Sequence, residues 1–222
     1  MNRQLHFLKI DPVTSLRNQR LNAFLGNAYA VHGCIEALKN DAHDAGEDRL
    51  LWRLDRDKRN PATFLLVQTN FEPNAAGLTA LTENPLIQRV HRKTVAPRFQ
   101  ERQVFHFRLR ANPTKAVGCG EKGRRGKRVA VTGVAEAEAW LHRKGVFHGF
   151  DCRLHNLVEE GPMVLKKSGK KQGRSVRTMT FNSVLFEGVL QVSDPEKMTA
   201  CFERGIGHGR GFGFGMLSLA KK

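Results

Sequence analysis

Apolar residues recur along the chain with two periods, and the periods alternate in a fixed order. Residues 4–10, QLHFLKI, read as a strand, and a polar linker follows. In 28–39, AYAVHGCIEALK, the residues Val31, Cys34, Ile35 and Leu38 fall at i, i+3, i+4 and i+7, one face of a helix. Asn27 is placed to cap its start. RLLWRLD (49–55) and TFLLVQTN (63–70) read as strands, followed by a short helix around 76–83 and a strand around 86–93. The order is β-α-β-β-α-β.

The order then repeats. In QVFHFRLR (103–110), Phe105, Phe107 and Leu109 face one side, and His106, Arg108 and Arg110 the other. GVAEAEAWLHRK (133–144) predicts a helix with Ala137, Trp140 and Leu141 inward, Thr132 as N-cap and Gly145 at the C-terminal end. FDCRLHNLV (150–158) is a strand, a basic hairpin occupies about 162–180, and SVLFEGVLQV (183–192) is a strand. DPEKMTACFER (194–204) opens a helix with Asp as N-cap and Pro at the first helical position, and Met198, Cys201 and Phe202 form its apolar face. FGFGMLSLA (212–220) closes as a strand. The expected fold class is α+β: two tandem ferredoxin-like (RRM-like, βαββαβ) domains, with a basic hairpin insert and a C-terminal glycine-rich loop. The expected boundaries are 1–97 and 98–222. RNA-binding sheets share this topology, but topology alone does not assign function.

Composition narrows the partner. The chain has 222 residues, 40 % of them hydrophobic, enough for an ordered core. It carries 37 Lys and Arg against 21 Asp and Glu, a net charge of +16. Such an excess on a folded chain points to a polyanion, most often nucleic acid. The charge is clustered: KGRRGKR (122–128) holds five basic side chains and KKSGKKQGRSVR (166–177) six. Both lie between ordered segments, as loops that follow a phosphate backbone would. No apolar run approaches the roughly 18 residues of a membrane helix, and the N-terminus lacks the pattern of a signal peptide. Cys34, Cys119, Cys152 and Cys201 lie far apart, form no metal-ligand motif and suit a reducing compartment. The expectation is a cytoplasmic protein with no membrane partner and no cofactor.

GIGHGRGFGFG (205–215) places six glycines in eleven positions. It misses the GxGxxG fingerprint, since Arg210 stands at the third required position. Its order is also reversed, because phosphate-cradling glycines precede a helix and these follow one. Two readings stay open: a tight crossover between the domains, or a loop that presents His208 and Arg210 to a bound chain.

FRLRANPTK (107–115), RLLWRLD (49–55), VLFEGVLQVSDPEK (184–197) and GIGHGRGFGFGMLSL (205–219) together resemble CasE, the family of repeat-processing endoribonucleases of the type I-E CRISPR Cascade complex. The likeness spans nearly the full chain. Arg210 stands where the family often has Lys, and Gly211 where it often has Ala. The resemblance implies binding of a CRISPR repeat hairpin of pre-crRNA and one metal-independent cut at its 3′ base. It also implies retention of the mature crRNA among other Cascade subunits.

The local chemistry is compatible. Tyr29 and His32 are three apart on one helix and therefore neighbours. At about 100° per residue, His32 lies about 100° and Tyr29 about 160° from Val31, both off the core face. A metal-free ribonuclease needs a base for the 2′-hydroxyl proton and an acid for the leaving 5′ oxygen, and histidine titrates in the range for either role. Read from the residues alone, His32 is one surface histidine among nine. The family's Tyr-x-x-His motif makes His32 and Tyr29 the catalytic candidates. A cation must also meet the charge on the phosphorane. The run 166–177 is the supplier, with Lys167 and Lys171 the catalytic candidates and Lys166, Lys170 and Arg174 the alternatives for that role and otherwise RNA contacts. Asp41, Asp44, Glu47 and Asp48 form the densest acidic cluster and read as a solvated patch, not a two-metal site.

Arg108, Arg110, Lys115, Arg124, Arg125, Lys127 and Arg128 complete the candidate RNA-binding set, since arginine suits bidentate phosphate contacts. The other reading pairs Arg108 and Arg110 with acids across the sheet. Two alternative functions remain: a non-catalytic RNA-hairpin-binding subunit of the same fold, and a structural basic protein.

Overall fold

The computed structural model describes residues 4–12, 19–40, 48–56, 63–118, 126–167 and 177–221. The chain divides into two compact units: Met1–Arg98 with Arg210–Gly213, and Phe99–Gly209 with Phe214–Lys222.

The first unit runs β1 (Leu5–Pro12), α1 (Gln19–Gly26), α2 (Ala28–Glu36), β2 (Leu50–Arg56), β3 (Thr63–Thr69), α3 (Ala75–Thr82) and β4 (Ile87–Val95). Its strands form an antiparallel sheet in the order β2-β3-β1-β4. Register sets which side chains share a face. Leu8 lies opposite Val67 and Ile10 opposite Leu65, and all four are buried. Val31 and Ile35 give α2 its buried face, as the periodicity predicted. Each such side chain stabilises the fold by about 1.5–3 kcal/mol. The Asn74 amide donates to the Leu38 carbonyl at 2.8 Å, which ties the start of α3 to the chain just past α2. On β2, Arg53 and Asp55 are two residues apart and so share a face. Both are buried, and the guanidinium donates to both carboxylate oxygens at 2.7 Å.

The second unit runs β5 (Val104–Ala111), β6 (Thr114–Val117), β7 (Lys127–Ala130), α4 (Val134–His148), β8 (Phe150–Lys167), β9 (Arg177–Val192), α5 (Pro195–Arg204) and β10 (Leu217–Lys221). A single 3-10 turn, Arg210–Phe212, falls before β10 and belongs with the first unit. The main sheet is antiparallel in the order β10-β5-β9-β8. Numbered within its own unit, each sheet reads 4-1-3-2, so the two repeats share the ferredoxin-like topology. The β5 alternation holds: Phe105, Phe107 and Leu109 are buried, and His106 is exposed. Trp140 of α4 stacks on Phe186 of β9 with ring centroids 6.1 Å apart. Asp194 caps α5, accepting from the Glu196 and Lys197 amides, with Pro195 opening the helix.

Four expectations need correction. The polar linker after β1 contains α1, where Leu21, Phe24 and Leu25 have helical spacing over only two turns. The basic run expected as a loop at 122–128 ends inside a strand, because Lys127 and Arg128 belong to β7, which pairs with β6 as a hairpin, Lys115 opposite Val129 and Ala116 opposite Arg128. The hairpin expected at about 162–180 is no separate insert. β8 and β9 continue into it without a break in pairing as far as Lys167 and Arg177, across two register shifts. Finally, α4 starts after Gly133, not Thr132, and the Gly133 amide donates to Glu159 at 2.8 Å. It also runs past Gly145 to His148.

The true end of α4 is Gly149, left-handed at φ 76° and ψ 37°. Its carbonyl accepts the Ser193 and Asp194 amides, which holds the end of α4 to the entry of α5. A Cβ here would lie 2.5 Å from the Asp194 carbonyl oxygen. Gly149→Ala therefore combines left-handed strain with a backbone clash and should lower unfolding free energy by about 2–4 kcal/mol in urea denaturation. An unchanged midpoint would mean that this junction relaxes freely.

Candidate active site

In the first unit the site grows from the cap of α2. Asn27 Oδ1 accepts from the Tyr29 amide at 3.0 Å and the Ala30 amide at 3.4 Å. That fixes where the helix begins, and its register turns Val31 and Ile35 inward and leaves Tyr29 and His32 partly exposed. The His32 side chain is 29 % exposed, yet its Nδ1 is shielded from solvent and has no hydrogen-bond partner. The nearest carboxylate oxygen, Glu36 Oε1, is 3.6 Å away, one turn on. Glu36 in turn holds the Lys39 ammonium at 2.8 Å. Phe212, from the 3-10 turn, packs on both candidates. Its ring meets Tyr29 edge-on at 5.1 Å and His32 at 5.4 Å with a 48° tilt. The Trp52 indole N–H donates to the Gly211 carbonyl at 2.9 Å. Gly213 has φ +87°, and a Cβ there would lie 3.0 Å from the Trp52 ring. The glycines of this turn let bare backbone lie against an indole.

Such a site can transfer protons. An imidazole with one buried and one accessible edge can exchange a proton at the accessible nitrogen, and a phenol three residues away can donate a hydrogen bond. Among the described residues no three His, Cys, Asp or Glu side chains converge as metal ligands would. Of the acidic patch only Asp48 lies among the described residues. Glu36, Lys39, Trp52 and Phe212 were not among the expected site residues. The spacings His32 to Glu36 and Glu36 to Lys39 are helix-neighbour spacings and could have found the first two.

In the second unit several expected RNA-binding cations sit on carboxylates. Arg108 contacts Glu187 at 2.6 Å, and Asn156 donates to the same carboxylate. Arg110 holds both oxygens of Glu160 at 2.7 and 2.8 Å, and the Ser183 hydroxyl adds a third bond. Lys115 contacts Glu136 at 2.8 Å. The exposed Lys115 pair contributes about 0–1 kcal/mol and yields to a competing phosphate, whereas Arg110 and Glu160 are only 16 % and 28 % exposed and are joined by two bonds. Lys127 and Arg128 are exposed on β7. Arg128 and His208 line one cleft of about 550 Å³ with Asn112, Thr114, Phe181 and Asn182. Arg210 is exposed at the start of the 3-10 turn. Lys166 and Lys167 end β8, opposite Thr178 and Arg177. Arg124, Arg125, Lys170, Lys171 and Arg174 lie outside the described residues.

The described cysteines are poor nucleophiles. Burial raises the Cys34 thiol, and it pushes the fully buried Cys201 thiol far up. Cys152 is pushed up to about 11, first by burial and then by the negative charges of Asp151 and Glu138. Its thiolate is therefore scarce at pH 8 and appears only as pH rises toward that value. Alkylation mapped by mass spectrometry should find Cys152 on the order of 10²-fold slower than a free thiol at pH 8. Labelling at the free-thiol rate would contradict the burial.

The chain is similar to known proteins along nearly its whole length. Residues 5–221 match the family model described as CRISPR associated protein. The CRISPR-associated endoribonuclease Cse3 of Thermus thermophilus is 36 % identical over 204 residues, 88 % of this chain and 91 % of the relative. The CRISPR system Cascade subunit CasE of Escherichia coli is 27 % identical over 206 residues, 89 % of this chain and 94 % of the relative. A structure of Thermus thermophilus Cse3, bound to an RNA representing a pre-cleavage complex, aligns with a TM-score of 0.73 at 34 % identity, covering 98 % of this chain and 99 % of that one. With a match from end to end and a repeated topology in common, this chain belongs to the CRISPR-associated protein family of Cse3 and CasE.

Proposed function

We propose that this protein is a metal-independent endoribonuclease that binds the repeat hairpin of pre-crRNA and cuts at its 3′ base. It then keeps the mature crRNA as a subunit of a Cascade complex. Family membership supports the activity and both partners. The observation that carries the chemistry is the exposure of Tyr29 and His32 side by side on α2, against one phenylalanine ring.

The 2′-oxygen attacks the adjacent phosphorus and the bond to the 5′ oxygen breaks. The products are a 2′,3′-cyclic phosphate, or the 3′-phosphate from its opening, and a 5′-hydroxyl. One proton leaves the 2′-hydroxyl and one reaches the 5′ oxygen. His32 makes one of these transfers, and Tyr29 hydrogen-bonds at the same place. Lys167 and Lys171 neutralise the phosphorane. Arg108, Arg110, Lys115, Arg124, Arg125, Lys127, Arg128, Lys166, Lys170, Arg174, His208 and Arg210 hold the hairpin, mainly through its phosphates, because an A-form helix hides its major groove. In this division of labour residues 1–97 carry the Tyr-x-x-His helix and residues 98–222 the basic arms and the glycine-rich loop. No described helix is long and apolar enough to cross a membrane. We place the reaction in the cytoplasm, with the precursor transcript.

The test is cleavage of a labelled repeat hairpin in EDTA. Wild type should cut once, and His32→Ala, or a 2′-deoxy nucleotide at the cut site, should abolish cutting while binding persists. Tight binding without cleavage would instead favour a recognition subunit. Full inhibition of wild type by EDTA would overturn the His32 mechanism. Binding should also weaken steeply with salt. Six or more phosphate contacts release enough counterion to cost on the order of 10³-fold in affinity between 50 and 200 mM salt. A flat response would remove the basic arms from the interface.

A further inference from the structure

A catalytic imidazole must be held at one angle, and among the described residues no hydrogen bond holds this one at Nδ1. His32 Nδ1 has no hydrogen-bond partner, and Glu36 Oε1 at 3.6 Å is beyond hydrogen-bond length. What touches the ring is the 3-10 turn. Phe212 packs on His32 at 5.4 Å and on Tyr29 at 5.1 Å, so one ring sets the relative placement of both groups. Gly211 faces the Nδ1 edge of the ring, since a Cβ built there would meet His32 Cε1 at 3.5 Å and Nδ1 at 3.8 Å. The 29 % of the side chain left exposed therefore lies on the edge away from Nδ1.

Phe212 is itself fixed from both sides. The residue before it, Gly211, accepts the Trp52 indole N–H at 2.9 Å. The residue after it, Gly213, turns at φ +87° flush against the same indole. Trp52 is 3 % exposed and stands on β2, in the sheet of the first unit. A buried ring thus anchors the two flanks of a residue that contacts both candidate groups.

Taking the endoribonuclease reading as the basis, we propose that Phe212 is a positioning residue for His32 and Tyr29, and that Trp52 locks it in place through Gly211 and Gly213. The glycine pattern at 211–213 then serves as the seat of an aromatic wedge. Phe212 aims the proton-transfer group and does not itself bind RNA. A displacement of about 1 Å can cost on the order of 10²-fold in rate.

The experiment measures single-turnover cleavage and Kd on the repeat hairpin for wild type, Phe212→Leu, Phe212→Tyr and Trp52→Phe. Phe212→Leu should cleave about 10- to 10²-fold more slowly with Kd within about twofold of wild type. Phe212→Tyr keeps the ring and should restore most of the rate. Trp52→Phe keeps an aromatic ring in the sheet, loses the indole donor, and should fall about 10-fold in rate at unchanged Kd. In the free protein, Phe212→Leu should also move the His32 Cε1–H resonance by removing a ring current. A wild-type rate in Phe212→Leu, or a rate that falls only in step with affinity, overturns the proposal. If wild type itself does not cleave, the endoribonuclease reading fails. The resonance still decides the positioning claim, because an unmoved His32 signal refutes it whatever the activity.

Discussion

The carboxamide of Asn27 accepts the Tyr29 and Ala30 amides and fixes where α2 begins. Within the helix each residue turns about 100° from the last, so packing Val31 and Ile35 into the core places Tyr29 and His32 off the core face. The cap itself contributes only about 1 kcal/mol; the constraint that matters is that burial of one pair and exposure of the other are consequences of one helical spacing. The wedge on Tyr29 and His32 is built on that frame. Phe212 can reach both rings only because they are three residues apart on an outward face.

Charge is organised differently from chemistry. The net of +16 is large, yet Arg108, Arg110 and Lys115 each hold a glutamate. Those pairs orient long side chains that would otherwise sample many rotamers, and the exposed Lys115 pair exchanges for phosphate at little cost. The cations are also presented on paired strands and not on loose tails. β8 and β9 stay paired, across two register shifts, out to Lys167 and Arg177, and Lys127 and Arg128 stand on β7. Preordered cations lose less entropy when a polyanion arrives.

Much of this was legible in the sequence where one physical rule acts over a long enough window. The helical period at 28–38, the strict alternation at 104–109 and the Asp-Pro start of α5 each name their element, and the structure agrees. Short elements were not legible. α1 spans two turns and β6 and β7 four residues each, too little for a period to stand out from polar neighbours. Gly145 misled for another reason. It looks like a helix stop, but it lies inside α4, and its missing side chain serves packing: a Cβ there would lie 2.5 Å from the Phe150 carbonyl oxygen. The Tyr29 and His32 pair was readable from spacing and resemblance. The bond from Trp52 to Gly211 was not, since 159 residues separate its partners and nothing local in either segment asks for the other.

The central claim is that a 2′-hydroxyl attacks at a site served by His32, and the chemistry of the new RNA ends tests it most directly. Mass spectrometry of a repeat hairpin cut in EDTA should find a 2′,3′-cyclic phosphate or 3′-phosphate on the upstream fragment and a 5′-hydroxyl on the downstream one. A 3′-hydroxyl paired with a 5′-phosphate would mean that water was the nucleophile, and would contradict the account.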